Sequence, residues 1–225
     1  MGVVMTFTEF ISMYSGRFID GTLVTLMQTA LATVLTVFLA FSFGLMKLSP
    51  NRLVRGFAIC YIELFRGTSL LVQLFWVFYV LPLFGLTLDA FTAGFVTVGL
   101  NLGSYGAELV RGGIQAVPRG QWEAAKALNM PNHKRMIRII LPQALLTMLP
   151  AWGNLLIELL KGTALVALIS VSDLMFEAKQ INGTTFLSAQ AFGTALIIYY
   201  ILARFIITPG MRLLESYMTK KMGME

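Results

Sequence analysis

The sequence predicts an all-α integral membrane protein, because its composition, its apolar windows and its distribution of charge all indicate a lipid bilayer. The chain has 225 residues, of which 57% are hydrophobic and 12% are charged, about half the charged share of a soluble domain. A transmembrane helix needs roughly 20 mostly apolar residues, and five charge-free windows approach or exceed that length. They are 21–46, 67–88, 90–107, 139–157 and 180–203. Buried helices of a soluble protein would need more charged surface than this chain contains.

The positive charges indicate how five such helices are oriented. Short loops of membrane proteins that carry Lys and Arg stay in the cytoplasm, and this bias is satisfied if the N-terminus lies outside and the C-terminus inside. The cytoplasmic cations are then Lys47, Arg52, Arg55, Arg111, Arg119, Lys126, Lys134, Arg135, Arg138, Arg212, Lys220 and Lys221, whereas Arg17, Lys161 and Lys179 lie outside. The net charge of +6 is therefore a topological signal, and no nucleic-acid partner is predicted.

The elements form a single membrane domain, residues 1–225. Helices are predicted at about 21–47, 55–82, 88–110, 137–160 and 185–209, and a cytoplasmic segment at about 111–138. Residues 1–22 lack the pattern of a removable signal peptide, and their apolar residues at helical spacing predict an interfacial helix on the outer face. Pro209-Gly210 is expected to end the fifth helix.

Two further features concern the packing of these helices. Gly94, Gly99, Gly103 and Gly106 repeat along the third helix, and small residues at such spacing let another helix approach closely. After the fourth helix, the short apolar piece 164–171 cannot span a bilayer, so we expect a re-entrant or interfacial segment held within protein. Residues 173–183 are then expected to be an external loop.

The polar segment 111–138 contains a predicted helix-turn-helix. Residues 117–120 favour a turn, and 121–128 favour a short helix with Trp122, Ala125 and Leu128 on one side. Asn129 stands where a helix end requires a left-handed residue, a conformation that Asn tolerates best after Gly. Pro131 suits the first position of the next helix.

This segment resembles the EAA loop of permease subunits in bacterial ATP-binding-cassette (ABC) importers. The resemblance rests on Glu123-Ala124-Ala125, on the residue at position 129 and on Ile140-Leu141-Pro142. The flanking segments Glu63-Leu64-Phe65-Arg66-Gly67-Thr68, Leu70-Leu71-Val72-Gln73 and Arg111-Gly112-Gly113-Ile114 are similar to the polar amino acid uptake branch of these permeases. The resemblance covers roughly 22–215, and several motifs recur in order at the expected spacing.

The resemblance implies the five-helix core of a type I ABC importer permease in the bacterial inner membrane. Its EAA helix would seat in a cleft of a cytoplasmic ATPase dimer, with coupling residues Gln121, Trp122, Glu123, Ala124, Ala125, Leu128 and Asn129. A second permease, either a copy of this chain or a related one, and an extracytoplasmic substrate-binding protein would complete the transporter. This subunit would be no enzyme and would hold no cofactor or metal, since the partner ATPase binds ATP and Mg²⁺.

Two departures from the family pattern bear on function. Asn129 replaces the usual Gly, at a modest conformational cost. Gly162 follows Lys161 where the branch often has an Asp, and the loss of that carboxylate argues against a cationic amino acid as cargo. A polar zwitterionic amino acid is expected instead, with an ectoine-like solute or an opine as alternatives.

Ionisable and polar groups within the spans are costly and mark a pathway or a paired structural site. The candidates for the substrate path are Asn101, Tyr105, Glu108, Glu158, Lys161 and Thr163. For Glu108 the alternative is interhelical hydrogen bonding. Glu63 and Arg66, three residues apart, are expected to form a structural ion pair, while Arg204 either pairs with an acid or extends toward the interface.

Other functional classes fit the sequence less well. His133 is the only histidine and lies in the cytoplasmic segment, so neither a histidine metal cluster nor a Ser-His dyad can form within the membrane. The chain lacks a phosphate-binding Gly-rich loop ending in Lys-Ser/Thr, so it is not expected to hydrolyse ATP itself. A self-contained carrier or channel for small polar solutes stays open as an alternative, although five helices without an inverted repeat are unusual for a carrier.

Overall fold

The computed structural model describes residues 6–221, and within them the chain forms ten α-helices and no β-strand. The helices are α1 (Phe7–Lys47), α2 (Arg52–Arg66), α3 (Leu70–Phe75), α4 (Ala90–Ala116), α5 (Arg119–Ala127), α6 (Asn132–Arg135), α7 (Leu141–Gly162), α8 (Leu174–Thr185), α9 (Ser188–Ile201) and α10 (Thr208–Lys221). Short π-helical turns (Trp76–Val80, Met136–Ile140, Leu202–Ile207) and 3₁₀ segments (Leu81–Phe84, Thr163–Ile169) extend several of them.

Helix α1 is longer than the predicted first span. It begins at Thr6, whose hydroxyl accepts a hydrogen bond from the Glu9 amide while the Glu9 carboxylate accepts one from the Thr6 amide, a capping box that fixes the start. The predicted interfacial helix of 1–22 is, from Phe7 onward, the N-terminal part of this single helix. Its 41 residues reach about 60 Å, twice the hydrocarbon thickness, so one end projects beyond the bilayer.

The centre of the bundle is the contact of α1 with α4, and it confirms the predicted role of the glycines. A Cβ built at Gly106 would lie 2.7 Å from Cβ of Ala40, and one at Gly99 would lie 2.8 Å from Leu35. The same holds in reverse at Gly44 of α1, where a Cβ would lie 2.8 Å from the carbonyl oxygen of Ala107. Only hydrogen at these positions lets the two backbones approach this closely.

Five helical segments lie in the chain order of the predicted spans, although their bounds differ. Three of them, Phe7–Lys47, Asn132–Ile169 and Ser188–Lys220, are long and apolar enough to cross a bilayer as continuous helical segments, and the bent pair Arg52–Arg66 and Leu70–Phe84 adds a fourth. The fifth segment, α4, has 27 residues, which is long enough to span. Its apolar character is diluted by small and polar residues that face other helices rather than lipid, among them Thr97, Asn101 and Ser104.

The last span continues past the point where the sequence predicted its end. Pro209 lies in the first turn of α10, immediately after the π-helical turn Leu202–Ile207. In this continuous segment the proline supplies no amide donor, and it lies where the hydrogen-bond register changes from the π-helical turn to α10. The Thr208 hydroxyl donates to the carbonyl oxygen of Ala203 at 2.9 Å, which supports the junction.

The second span is not the continuous helix predicted at 55–82. Helix α2 ends at Arg66, α3 begins at Leu70, and their axes differ by 102°. Gly67 caps α2 and donates its amide to Glu63, while Ser69 precedes α3 with extended backbone. The chain therefore turns sharply inside the predicted bilayer.

The predicted external loop 173–183 is a helix. Asp173 caps α8 by accepting a hydrogen bond from the Phe176 amide at 2.8 Å, which satisfies one of the free donors of a helix start. Leu174, Ala178 and Ile181 follow at helical spacing and are fully buried against Phe10 and Phe18 of α1 and Ala191 and Ala195 of α9. This apolar stripe explains why the segment folds rather than remaining a loop.

Candidate functional site

Helix α5 lies on the end of the bundle that the charge pattern assigns to the cytoplasm. Its C-terminus ends in a Schellman motif: the Asn129 amide donates to the carbonyl oxygen of Lys126 at 2.9 Å, and the Met130 amide to that of Ala125 at 3.2 Å. Asn129 has φ 51°, so its predicted left-handed conformation is confirmed. Pro131 precedes α6 rather than opening it. The motif sets the direction in which the chain leaves α5.

One side of α5 is anchored to the bundle. Ala125 is buried, and the Trp122 ring packs against the central core and lies 5.6 Å from the Arg135 guanidinium carbon. The side-chain amide nitrogen of Gln143, in the first turn of α7, is 3.3 Å from the side-chain oxygen of Gln121. These contacts join α5 to the base of the fourth span, so the two should move together.

The opposite side of α5 is free in the single subunit. Glu123 and Ala124 are exposed, and Leu128 is 74% exposed. The prediction that Leu128 shares a side with Trp122 is wrong, because three residues turn a helix by about 300°, and two such steps leave Leu128 about 120° away. An acid, a small residue and an unpartnered leucine thus form one outward surface, which we term the outer face of α5 (Glu123, Ala124, Leu128).

The Glu108 carboxylate forms ion pairs with two basic side chains. It bonds to the ammonium of Lys47 at the end of α1 and to the Arg111 guanidinium at 2.8 Å. Arg111 also donates to the Gln115 side chain. This arrangement ties α1 to α4, which favours the interhelical alternative for Glu108 over a place on the substrate path.

Asn101 and Tyr105 face the break between α2 and α3. The Asn101 side chain donates to the carbonyl oxygen of Phe65 and to the Gln73 side chain, both at 3.0 Å. The Arg66 guanidinium carbon lies 5.3 Å from the centre of the Tyr105 ring, within the range of a cation–π contact. Three ion pairs are found within residues 6–221, and the predicted pair of Glu63 with Arg66 is not one of them. The aromatic ring of a neighbouring helix holds the cation instead.

Lys161 lines a cavity of about 790 Å³ that lies between the fourth and fifth spans. Its other walls include Ile157 one turn earlier, together with Tyr199, Tyr200 and Arg204 of the last span. Glu158 and Lys161 are both exposed. Thr163 is buried and donates to the carbonyl oxygen of Leu160 at 2.7 Å. The sequence suggested a break in the helix beside Gly162. In the structure α7 continues there into the 3₁₀ segment Thr163–Ile169. Val166 and Ile169 of this segment are buried within protein.

Two features near the site were not predicted from the sequence. The first is the break itself, Gly67-Thr68-Ser69, whose run of helix-ending and helix-capping residue types was a readable signal. The second is Asp173, which is buried and accepts hydrogen bonds from Phe176 and Tyr199. Burial raises the pKa of the Asp173 carboxyl to about 6. An Asp directly before a periodic apolar run was the corresponding signal for a helix start.

The geometry can be compared with known proteins. Residues 32–220 match the model of the family described as the binding-protein-dependent transport system inner membrane component. The chain belongs to this family. It is thus a multi-pass inner-membrane subunit of an ABC transport system rather than an enzyme, and the expected identification as an ABC importer permease is confirmed.

Individual relatives agree with this assignment. The chain is 44% identical over 216 residues to a probable amino-acid ABC transporter permease, y4tF, of Sinorhizobium fredii, covering 93% of this chain and 90% of the relative. It is 36% identical to the L-cystine transport system permease TcyB of Bacillus subtilis, covering 83% of this chain and 76% of the relative. A crystal structure of an amino acid ABC transporter with histidines superposes with a TM-score of 0.86 at 36% identity, covering 96% of this chain and all of that chain. The expected type I importer permease fold is therefore confirmed.

Proposed function

We propose that this subunit forms the translocation path of an ATP-driven importer for a polar, zwitterionic amino acid. The names of its relatives support amino acids as the substrate class. The absence of an acidic side chain at Gly162, beside Lys161, supports a cargo without a cationic side chain. An ectoine-like solute or an opine also carries a carboxylate and fits the same reasoning.

The observation that carries the proposal is the outer face of α5. An exposed acid and an exposed leucine project from a helix that is otherwise anchored by Trp122 and Ala125. We assign contact with a cytoplasmic ATPase to Glu123, Ala124 and Leu128. The other coupling residues, Gln121, Trp122, Ala125 and Asn129, then position the helix, because their contacts are to this chain.

The partners follow from the same assignment. ATP and Mg²⁺ are bound by the ATPase dimer, and this subunit supplies no cofactor site. A second permease, whether identical or related, completes the path, and a substrate-binding protein delivers the cargo to the outer face. The N-terminus lies outside and the C-terminus in the cytoplasm, an orientation supported by the basic loop residues around α5.

The proposed path runs along the region of Asn101, Tyr105, Glu158 and Lys161. Lys161 is the best placed of these, since it lines the large cavity and has no ion pair within the described residues. An ammonium group in such a position can hold the carboxylate of an amino acid. We expect the Lys161→Ala variant to raise the apparent KM for uptake more than the Glu158→Ala variant does.

The test is reconstitution into proteoliposomes with and without the ATPase subunit. We expect uptake from a panel of the 20 standard amino acids, cystine and ectoine only when the ATPase, ATP and the binding protein are all present. A non-hydrolysable ATP analogue should abolish uptake. Equal uptake by the permease alone, driven by an ion gradient, would refute the proposal and favour the self-contained carrier. Uptake of ectoine but of no amino acid would refute the substrate class alone.

A further inference from the structure

The break in the second span lies deep in the bilayer. Arg66 is 14 residues after Arg52, the first residue of α2, which at 1.5 Å per residue is about 21 Å along the helix. The hydrocarbon core is about 30 Å thick. With Arg52 at the cytoplasmic surface and α2 along the bilayer normal, the turn Gly67-Thr68-Ser69 lies within the hydrocarbon core.

Hydrogen bonds from side chains stabilise the break. The Gln73 side-chain amide donates to the carbonyl oxygen of Phe65 at 2.9 Å and to the Thr68 hydroxyl at 2.6 Å. Asn101 of α4 donates to the same Phe65 oxygen and to Gln73. Backbone groups freed by the break thus have partners from two helices, which makes the bend a stable feature of the fold.

The surface of the break is open. Arg66, Gly67, Thr68 and Ser69 are all exposed in the subunit. Irregular backbone at membrane depth is tolerated only where it is buried in protein or lines a water-filled cavity, and a charged side chain there is costly in lipid. This surface must therefore face an aqueous path or another subunit, and not the hydrocarbon.

The guanidinium group of Arg66 is available to bind an anion. It has no ion pair and donates no side-chain hydrogen bond within the described residues, and its one polar contact is the Tyr105 ring. A cation–π contact fixes the guanidinium while its N–H groups remain able to form the paired hydrogen bonds that carboxylates accept. The first residue after the break, Leu70, packs toward Gly162, where a Cβ would lie 3.3 Å from Leu70 Cδ2. The break thus adjoins the residue next to Lys161.

We propose that Arg66, presented by the break between α2 and α3, binds the carboxylate of the transported amino acid. This assignment rests on the proposed function and names a contact residue for it. Arg66 holds the carboxylate through two N–H groups, and Tyr105 positions the guanidinium. The Arg66 guanidinium thus gives the site at the break its preference for an anion.

The experiment measures binding to the purified permease–ATPase complex in nanodiscs without the binding protein. The probe is the radiolabelled amino acid that the wild-type transporter takes up fastest, together with its carboxamide, which lacks the carboxylate. We expect Arg66→Gln to raise the Kd of the amino acid at least tenfold and to leave the weak Kd of the carboxamide within twofold. Arg66→Lys should give an intermediate loss, because it keeps the charge but not the paired hydrogen bonds.

Arg55→Gln is the matched control, since Arg55 is an exposed arginine of the same helix, nearer its cytoplasmic end, and should change neither Kd. Equal weakening of amino acid and carboxamide by Arg66→Gln would show a structural role and overturn the proposal. An unchanged Kd for the amino acid, or no measurable binding to a wild-type complex that transports it, would also overturn it. A wild-type complex that transports no amino acid would instead refute the proposed function.

Discussion

Reversing the charge of Glu123 tests whether the outer face of α5 contacts the ATPase. Glu123 is exposed and has no ion pair within residues 6–221. Substitution at such a site changes folding stability by no more than about 0.5 kcal/mol, which corresponds to about 2 °C in melting temperature for a chain of this size. The Glu123→Lys subunit should therefore insert and fold normally.

The effect on the assembled transporter should be much larger. Disrupting a charged contact that is buried at an interface costs about 2–5 kcal/mol, and each 1.4 kcal/mol is a factor of ten. We expect the concentration of ATPase subunit needed for half-maximal association with Glu123→Lys permease in nanodiscs to rise at least about 30-fold. ATP hydrolysis stimulated by the loaded binding protein should be lost, while the basal activity of the isolated ATPase is unchanged.

Glu215→Lys is the matched control for this experiment. Glu215 is an exposed acid of α10, at the end of the chain that the charge pattern also assigns to the cytoplasm. It receives the same change in charge but lies outside the proposed contact. Normal association and stimulation in Glu123→Lys, or an equal loss in Glu215→Lys, would refute the argument that this one helix transmits the work of ATP hydrolysis.

Three further predictions concern the fold around the path. Asn129→Gly should retain coupling, whereas Asn129→Val should lower stimulated ATPase activity, because a branched residue at φ 51° is strained by roughly 1–2 kcal/mol; equal activities would contradict this. Gly106→Leu should prevent assembly of a monodisperse complex, seen by size-exclusion chromatography, since a Cβ alone would lie 2.7 Å from Ala40. Burial raises the pKa of Asp173 to about 6, so between roughly pH 4 and pH 6 the folded protein still holds a proton that the unfolded chain has released. The stability contributed by this group therefore falls as the pH rises through that range. Asp173→Asn should remove that fall in apparent melting temperature and stabilise the protein at pH 7.5 by up to about 3 kcal/mol; an unchanged pH profile would refute it.

The features predicted correctly from sequence depend on residues close together in the chain or on one repeated residue type. The left-handed Asn129 follows from the short helix before it and Pro131 after it. The close approach at Gly99 and Gly106 follows from the absence of a side chain, whichever helix is the partner. Apolar length alone indicated where spans should lie, although it did not locate their ends. Pro209, which the sequence predicted to end the last span, lies inside it next to a π-helical turn.

The features that were missed depend on a partner from another helix. The sequence alone could not show that Asn101, 28 residues beyond Gln73, would supply hydrogen bonds that stabilise a break in the second span. The Glu63–Arg66 pairing was plausible by spacing, but the ring of Tyr105 competes for the guanidinium. Likewise, residues 173–183 include six strong helix formers, Leu174, Met175, Glu177, Ala178, Lys179 and Gln180. The sequence alone could not show that α1 is long enough to cover the apolar stripe of α8.

These observations suggest how the coupling segment and the break communicate. The segment Asn132–Ile169 runs for 38 residues without a chain break. Its lower end holds α5 through the contacts of Arg135 with Trp122 and Gln143 with Gln121, and its upper part brings Gly162 against Leu70 at the start of α3. We expect this continuous helical segment, which contacts both sites, to transmit a displacement of α5 to the break. The network of Gln73 and Asn101 gives the bend a defined starting geometry. The same helix would thus change the position of Lys161 relative to Arg66 whenever the ATPase moves α5, so the affinity of the carboxylate site should depend on the nucleotide state of a subunit about 30 Å away.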